Sequence, residues 1–183
     1  ATADNASKVN YASKVNTLIG TDYTGNTYPG AQAPFGMVQL SPDNGLPGWD
    51  RIAGYFYPDS TVAGFSHTHL SGTGAGPPVT LPLNDAPAPL GIHSKFTHDD
   101  ETAHAGYYQV RLTDYDINVE LTATPRCGVQ RYTFPENGRQ RMVILNLTKA
   151  MNWDATKDTK ITQIDKHTIE GYRFSDGWAR NQR

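Results

Sequence analysis

Ile117-Asn118-Val119-Glu120-Leu121-Thr122-Ala123-Thr124 is the stretch that decides the fold class. Apolar Ile117, Val119, Leu121 and Ala123 alternate with polar neighbours, and successive strand side chains point to opposite faces, so the pattern is that of a strand with one buried face. Upstream, Tyr107 to Leu112 is rich in β-branched and aromatic residues, and Asp114-Tyr115-Asp116 between the two runs reads as a tight turn. The spacing predicts a hairpin over Tyr107–Thr124. On either side, short strands are expected at Phe35–Leu40, Thr61–His67, Val79–Leu83, Val129–Phe134, Met142–Leu147 and Thr168–Phe174, each bounded by turn residues. Many short strands without a crossover helix after each imply an all-β protein, an antiparallel β-sandwich.

Helix is expected only near the start. Val9, Ala12, Val15, Leu18 and Ile19 fit helical spacing and Gly20 follows as a stop, which predicts a short N-terminal helix packed on a sheet. Gly20 to Gly36 reads as a structured loop, and Pro77 to Pro89 as an edge strand followed by a loop. Tyr172 to Trp178 looks like a strand entering a turn whose partner would come after Arg183, so the polypeptide is expected to continue.

Composition agrees. With 183 residues, 17 glycines, 12 prolines and 10 tyrosines, the chain fits one loop-rich β domain spanning 1–183. A formal net charge of −2 gives no electrostatic basis for a nucleic acid or an anionic membrane as partner. The single cysteine, Cys127, excludes an intramolecular disulfide and is expected as a small buried hydrophobe. No apolar run is long enough to cross a bilayer, and Ala1 to Lys8 lacks an apolar signal core.

Chemistry concentrates between Gly48 and Gly76, where Trp49, Tyr55, Phe56, Tyr57, Phe65, His67 and His69 lie among glycines and hydroxyl residues. Sugar sites use this mixture: rings pack on the C–H faces of a pyranose, polar side chains bond its hydroxyls, and glycines allow close backbone approach. If their segment is a strand, His67 and His69 share a face, where they would bond a sugar, chelate a metal, or serve as satisfied structural histidines. A phosphate loop and a serine nucleophile elbow lack their defining residues. Among the carboxylates Asp43, Asp50, Asp59 and Glu120, Asp50 between Trp49 and Arg51 is expected nearest a ligand, with an ion pair as its structural alternative. Asp99-Asp100-Glu101 reads as a solvated loop.

Four ordered stretches then carry a resemblance: Asn16-Thr17-Leu18-Ile19-Gly20-Thr21, Tyr28-Pro29-Gly30-Ala31, Pro34-Phe35-Gly36-Met37-Val38-Gln39-Leu40-Ser41-Pro42-Asp43, and Gly64-Phe65-Ser66-His67-Thr68-His69-Leu70-Ser71-Gly72-Thr73-Gly74. Gly106-Tyr107-Tyr108, Val119-Glu120-Leu121-Thr122-Ala123-Thr124 and Arg131-Tyr132-Thr133-Phe134-Pro135 continue it over nearly the whole chain. Together they resemble glycoside hydrolase family 92. The resemblance implies the N-terminal β-sandwich of a two-domain, calcium-dependent, inverting bacterial exo-α-mannosidase, periplasmic or secreted, acting on α-1,2 or related linkages of mannans and N-glycans. It implies that a C-terminal helical (α/α)₆ barrel supplies the general acid, the general base and the calcium ligands, none of which is expected here, so that this chain alone is inactive. Trp49, Asp50, His67 and His69 are the residues expected to form the substrate-binding wall, with Trp49 as stacking platform and the others as hydrogen-bond partners. Ala75-Gly76-Pro77-Pro78 departs from the family pattern. A non-catalytic carbohydrate-binding module is the alternative reading.

Overall fold

The computed structural model describes residues 10–45, 48–69, 80–81, 93–147 and 155–176. Ala75–Pro78 and most of Val79–Leu83 lie outside the described residues, as does the side chain of Trp49.

The hairpin forms as its alternation requires. Strands β8 (Tyr107–Leu112) and β9 (Ile117–Ala123) pair antiparallel from Tyr107 opposite Thr122 to Leu112 opposite Ile117. Asp116 closes the turn at φ +55°, a left-handed conformation that aspartate tolerates. Strand β10 (Gly128–Thr133) adds to β9 and β7 (Glu101–His104) adds to β8, giving a sheet ordered β10-β9-β8-β7. Tyr108, Val110, Leu112, Ile117, Val119 and Leu121 all point to its buried face. A second antiparallel sheet covers that face, ordered β1 (Ala31–Gln32), β2 (Gln39–Asp43), β4 (Gly64–Ser66) and β5 (Thr80–Leu81), and it contributes Ala31, Leu40 and Phe65 to the shared core. Each large apolar side chain so buried stabilises the sandwich by about 1.5–3 kcal/mol. Two further pairs, β3 (Thr61–Val62) with β6 (Ser94–Lys95) and β11 (Ala155–Gln163) with β12 (Ile169–Asp176), complete the described strands.

Several expectations are corrected. The N-terminal helix shrinks to one 3₁₀ turn, Tyr11–Lys14, with no buried residue. Val15 and Ile19 are exposed while Leu18 packs against the core, so the apolar positions share no buried face, and the Asn16 side chain accepts a hydrogen bond from the Leu18 amide at 3.0 Å, competing with helical pairing. The strand expected from Phe35 begins only at Gln39, because Pro34 to Met37 forms a turn: the Gly36 amide bonds the Ala33 carbonyl at 2.9 Å, and Met37 bonds Pro125 at 2.7 Å. Residues 142–147 form no strand, and Met142 and Val143 are exposed. The partner of the strand expected at Thr168–Phe174 is the upstream β11, not a following segment. Cys127 sits exposed in the β9–β10 turn, where its amide bonds Thr124 Oγ1 at 3.1 Å.

Candidate functional site

Trp49-Asp50-Arg51 forms a 3₁₀ turn on the segment that leaves β2 and returns to β3. That segment is fastened at every side. Asn44, itself buried, donates from Nδ2 to the Thr61 carbonyl at 2.8 Å, accepts from the Phe56 amide, and donates its backbone N–H to the Gly54 carbonyl at 2.8 Å. Arg51 grips Asp59 bidentately at 2.7 and 2.8 Å, bonds Asp50 at 2.7 Å, and lies 4.3 Å above the Phe56 ring. Planar guanidinium geometry makes this a positioning interaction as much as an ionic one. The Asp50 side chain keeps 40% of its exposure while engaged with Arg51, so it combines the ion pair with an accessible face.

Beneath the turn lies a polar knot. Asp43 and His69 are both buried, with His69 Nε2 3.0 Å from Asp43 Oδ1 and Nδ1 2.8 Å from the Gln39 carbonyl. Both ring nitrogens therefore face acceptors, and the ring is no hydrogen-bond partner for a sugar or a metal. This corrects the placement of His69 in the substrate wall. Ser66 Oγ lies 3.1 Å from the same Nε2. A nucleophilic triad needs serine and aspartate on opposite imidazole nitrogens, so Ser66, His69 and Asp43 are a structural network. Gly54 packs directly on it: at φ +88° any side chain is strained, and a Cβ there would fall 2.4 Å from Asp43 Oδ1.

His67 lies elsewhere. Strand β4 ends at Ser66, so the two histidines are not strand neighbours on a common face. The His67 carbonyl accepts from the Gln39 amide at 2.8 Å at the start of β2, whereas Asp43 marks its end, roughly 13 Å along the strand. Its ring covers Gly128 of β10, where a Cβ would come within 2.6 Å of it. Asp50 pairs with Arg51, whereas His67 packs on Gly128.

One centre escaped the sequence reading. Glu101, expected in a solvated loop, has a side chain only 2% exposed and faces three donors: Tyr55 at 3.0 Å, Tyr108 at 2.6 Å and His98 Nδ1 at 2.7 Å. His98 Nε2 donates to the Tyr57 carbonyl at 2.8 Å, and its ring stacks on Tyr57 with centroids 3.8 Å apart. Burial, reinforced by the Glu101 charge, pushes the Tyr55 and Tyr108 phenols well above their ordinary range, so both remain donors. The available signal was the His98-x-x-Glu101 spacing, with Tyr108 seven residues on, but Tyr55 comes from a segment 46 residues away.

Among the described residues, no group of three or more histidine, cysteine, aspartate or glutamate side chains is placed to hold a metal. Calcium takes six to eight oxygen ligands, and the buried carboxylates of Asp43 and Glu101 already face nitrogen and hydroxyl donors, so these residues do not fit it.

Residues 14–183 match the model of the glycosyl hydrolase family 92 N-terminal domain. The chain belongs to glycoside hydrolase family 92. Its family 92 likeness extends to structure: the α-mannosidase BT3965 of Bacteroides thetaiotaomicron superposes with a TM-score of 0.82 at 35% identity, over 93% of this chain and 24% of that one. The inverting mannosidase BT2199 of the same organism gives a TM-score of 0.59 at 30% identity, over 71% of this chain and 19% of that one. An uncharacterized secreted glycosidase of Arthroderma benhamiae is 29% identical, over 85% of this chain and 22% of its own length. The chain therefore spans about a quarter of the length of these family 92 relatives or less.

His67 makes this family 92 domain acid-sensitive in a predictable direction. Burial, with the neighbouring His69 charge adding to it, lowers its imidazole below the ordinary range. The unfolded ring then holds a proton at pH values where the folded ring has lost it, so stability falls as pH drops through the unfolded value toward the folded one. In His67→Gln the melting temperature should decline less steeply on acidification than in the wild type. Parallel curves would show that His67 contributes nothing to the acid limb.

Proposed function

We propose that this chain is the sugar-facing N-terminal part of an exo-α-mannosidase that removes terminal α-mannose, α-1,2-linked in particular, from mannans or N-glycans with inversion. The observation that carries the reading is the match to the family 92 N-terminal domain together with the superposition on an α-mannosidase. The same Bacteroides enzyme is known in complex with mannoimidazole, which supports a mannose-shaped ligand for the family fold. Asp50, on a turn clamped from several directions, suits one wall of such a pocket as an acceptor, and Trp49 beside it in sequence is the stacking residue of this reading. His67 belongs to the same reading as a hydrogen-bond partner further along the surface.

Inverting hydrolysis needs a carboxylic acid at the leaving oxygen and a carboxylate activating water on the opposite face. Asp43 and Glu101 are buried within their own networks and reach neither position. In our proposal the acid and the base come from elsewhere in the complete polypeptide, the helical barrel. Calcium, held there, would steady the sugar hydroxyls. Secretion or a periplasmic location agrees with the Arthroderma relative's description, and no helix among the described residues is long and apolar enough to cross a membrane.

The test is the complete polypeptide incubated with α-linked mannobioses while free mannose is quantified. Release of mannose, abolished by a calcium chelator and restored by calcium, is the expected result, and the isolated 183-residue chain should release none. Failure of the complete protein to cleave any α-mannobiose contradicts the proposal. Tight mannobiose binding by the isolated chain, lost in Trp49→Ala, would favour a non-catalytic binding module instead.

A further inference from the structure

Glu101 occupies an unusual position for a carboxylate. It is buried against the core, at the edge strand β7, and it ties two nearby elements to a segment 46 residues away in sequence. Tyr55 reaches it from the turn that carries Trp49 and Asp50, Tyr108 from the middle of β8, and His98 from the 3₁₀ turn just before β7. His98 then passes the connection back to the same turn segment through the Tyr57 carbonyl and the stacked Tyr57 ring. The segment is therefore held at Tyr55 and at Tyr57 by one buried charge.

We propose that Glu101, with His98 as its partner, is a positioning residue that sets where the Trp49–Asp50 wall stands relative to the bound sugar. The inference rests on the reading of that turn as sugar-facing. Its chemistry is that of a carboxylate receiving three donors: it fixes the Tyr55 and Tyr108 hydroxyls and the imidazole in one arrangement, since any rotation leaves a buried donor or acceptor unmade. His98 ties the Glu101 carboxylate, through Nδ1 at 2.7 Å, to the Tyr57 carbonyl, through Nε2 at 2.8 Å, so the ring couples the carboxylate to the turn segment.

The experiment measures KM and kcat of the complete enzyme on an α-mannoside for wild type, Glu101→Gln, His98→Gln, His98→Asn and Trp49→Ala. An amide at 101 cannot accept from all three donors, and glutamine at 98 mimics Nε2 but not Nδ1. Both variants should raise KM about tenfold with kcat nearly unchanged, the pattern of lost binding without lost chemistry. Asparagine at 98 mimics Nδ1, so it should restore a near-wild-type KM. Hydrogen exchange should quicken at the Phe56 and Tyr57 amides in Glu101→Gln, with or without substrate. The proposal is overturned if Glu101→Gln and His98→Gln fold and leave KM unchanged while Trp49→Ala raises it, or if His98→Asn and His98→Gln behave alike. If Trp49→Ala is also silent, the sugar-facing reading itself fails, and the exchange data alone then report on the clamp. Should Glu101→Gln not fold, the two His98 variants, at a partly exposed ring, decide the matter.

Discussion

His69→Ala is expected to cost about 3–5 kcal/mol of folding stability, because it strands a carboxylate in the interior. The Asp43 side chain is 2% exposed and that of His69 fully buried, so neither can turn to water when its partner is removed. Asp43 Oδ2 already lacks a hydrogen-bond partner, which leaves the Oδ1 contact to His69 as the carboxylate's hydrogen bond in this site. The ring also fills the space against which Gly54 and Tyr28 pack, and its loss adds a cavity. Urea unfolding followed by fluorescence measures the effect. Adding Asp43→Asn to His69→Ala should recover part of the loss, since a neutral amide is easier to bury than an unpaired charge. A His69→Ala midpoint indistinguishable from wild type would mean that the knot under the turn contributes nothing.

Tyr108→Ala is the second large effect, again about 3–5 kcal/mol. Its ring is fully buried where the two sheets meet, beside Val110, Leu121 and Phe65, and its hydroxyl lies 2.6 Å from Glu101. Truncation therefore empties the core and removes a donor from a buried charge at once. Tyr108→Phe separates the two contributions: it keeps the ring and loses only the hydrogen bond, a cost of about 1–3 kcal/mol. Equal midpoints for Tyr108→Ala and Tyr108→Phe would place the whole effect on the hydroxyl and contradict the packing account.

The contrast between these residues and the rest shows what a sequence can carry. The hairpin at Tyr107–Thr124 was legible because one face is buried and the other wet, which writes the strand period directly into the residues. Strand β11 was invisible for the opposite reason: Lys157, Asp158 and Lys160 lie on a hairpin exposed over most of its length, where no alternation is required. The N-terminal period does not become a helix because Leu18 packs on the core while Val15 and Ile19 face solvent, so no single face is buried. His69 was misplaced because strand geometry was carried three residues past Ser66, where β4 ends and the ring is buried. Glu101 was hidden because its burial depends on Tyr55, 46 residues away, and no local pattern records a partner at that distance. The family, by contrast, was legible in its ordered motifs, which report inheritance and not local physics.

The central claim is that the clamped turn presents Trp49 and Asp50 to a mannose unit. Its most direct measurement is kcat/KM of the complete enzyme on an α-1,2-mannobiose for Trp49→Ala beside wild type, with the melting temperature recorded for both. The account predicts a fall of at least about tenfold, the loss of one well-packed aromatic contact, in a protein whose melting temperature is little changed. An unaltered kcat/KM in the folded variant would contradict it.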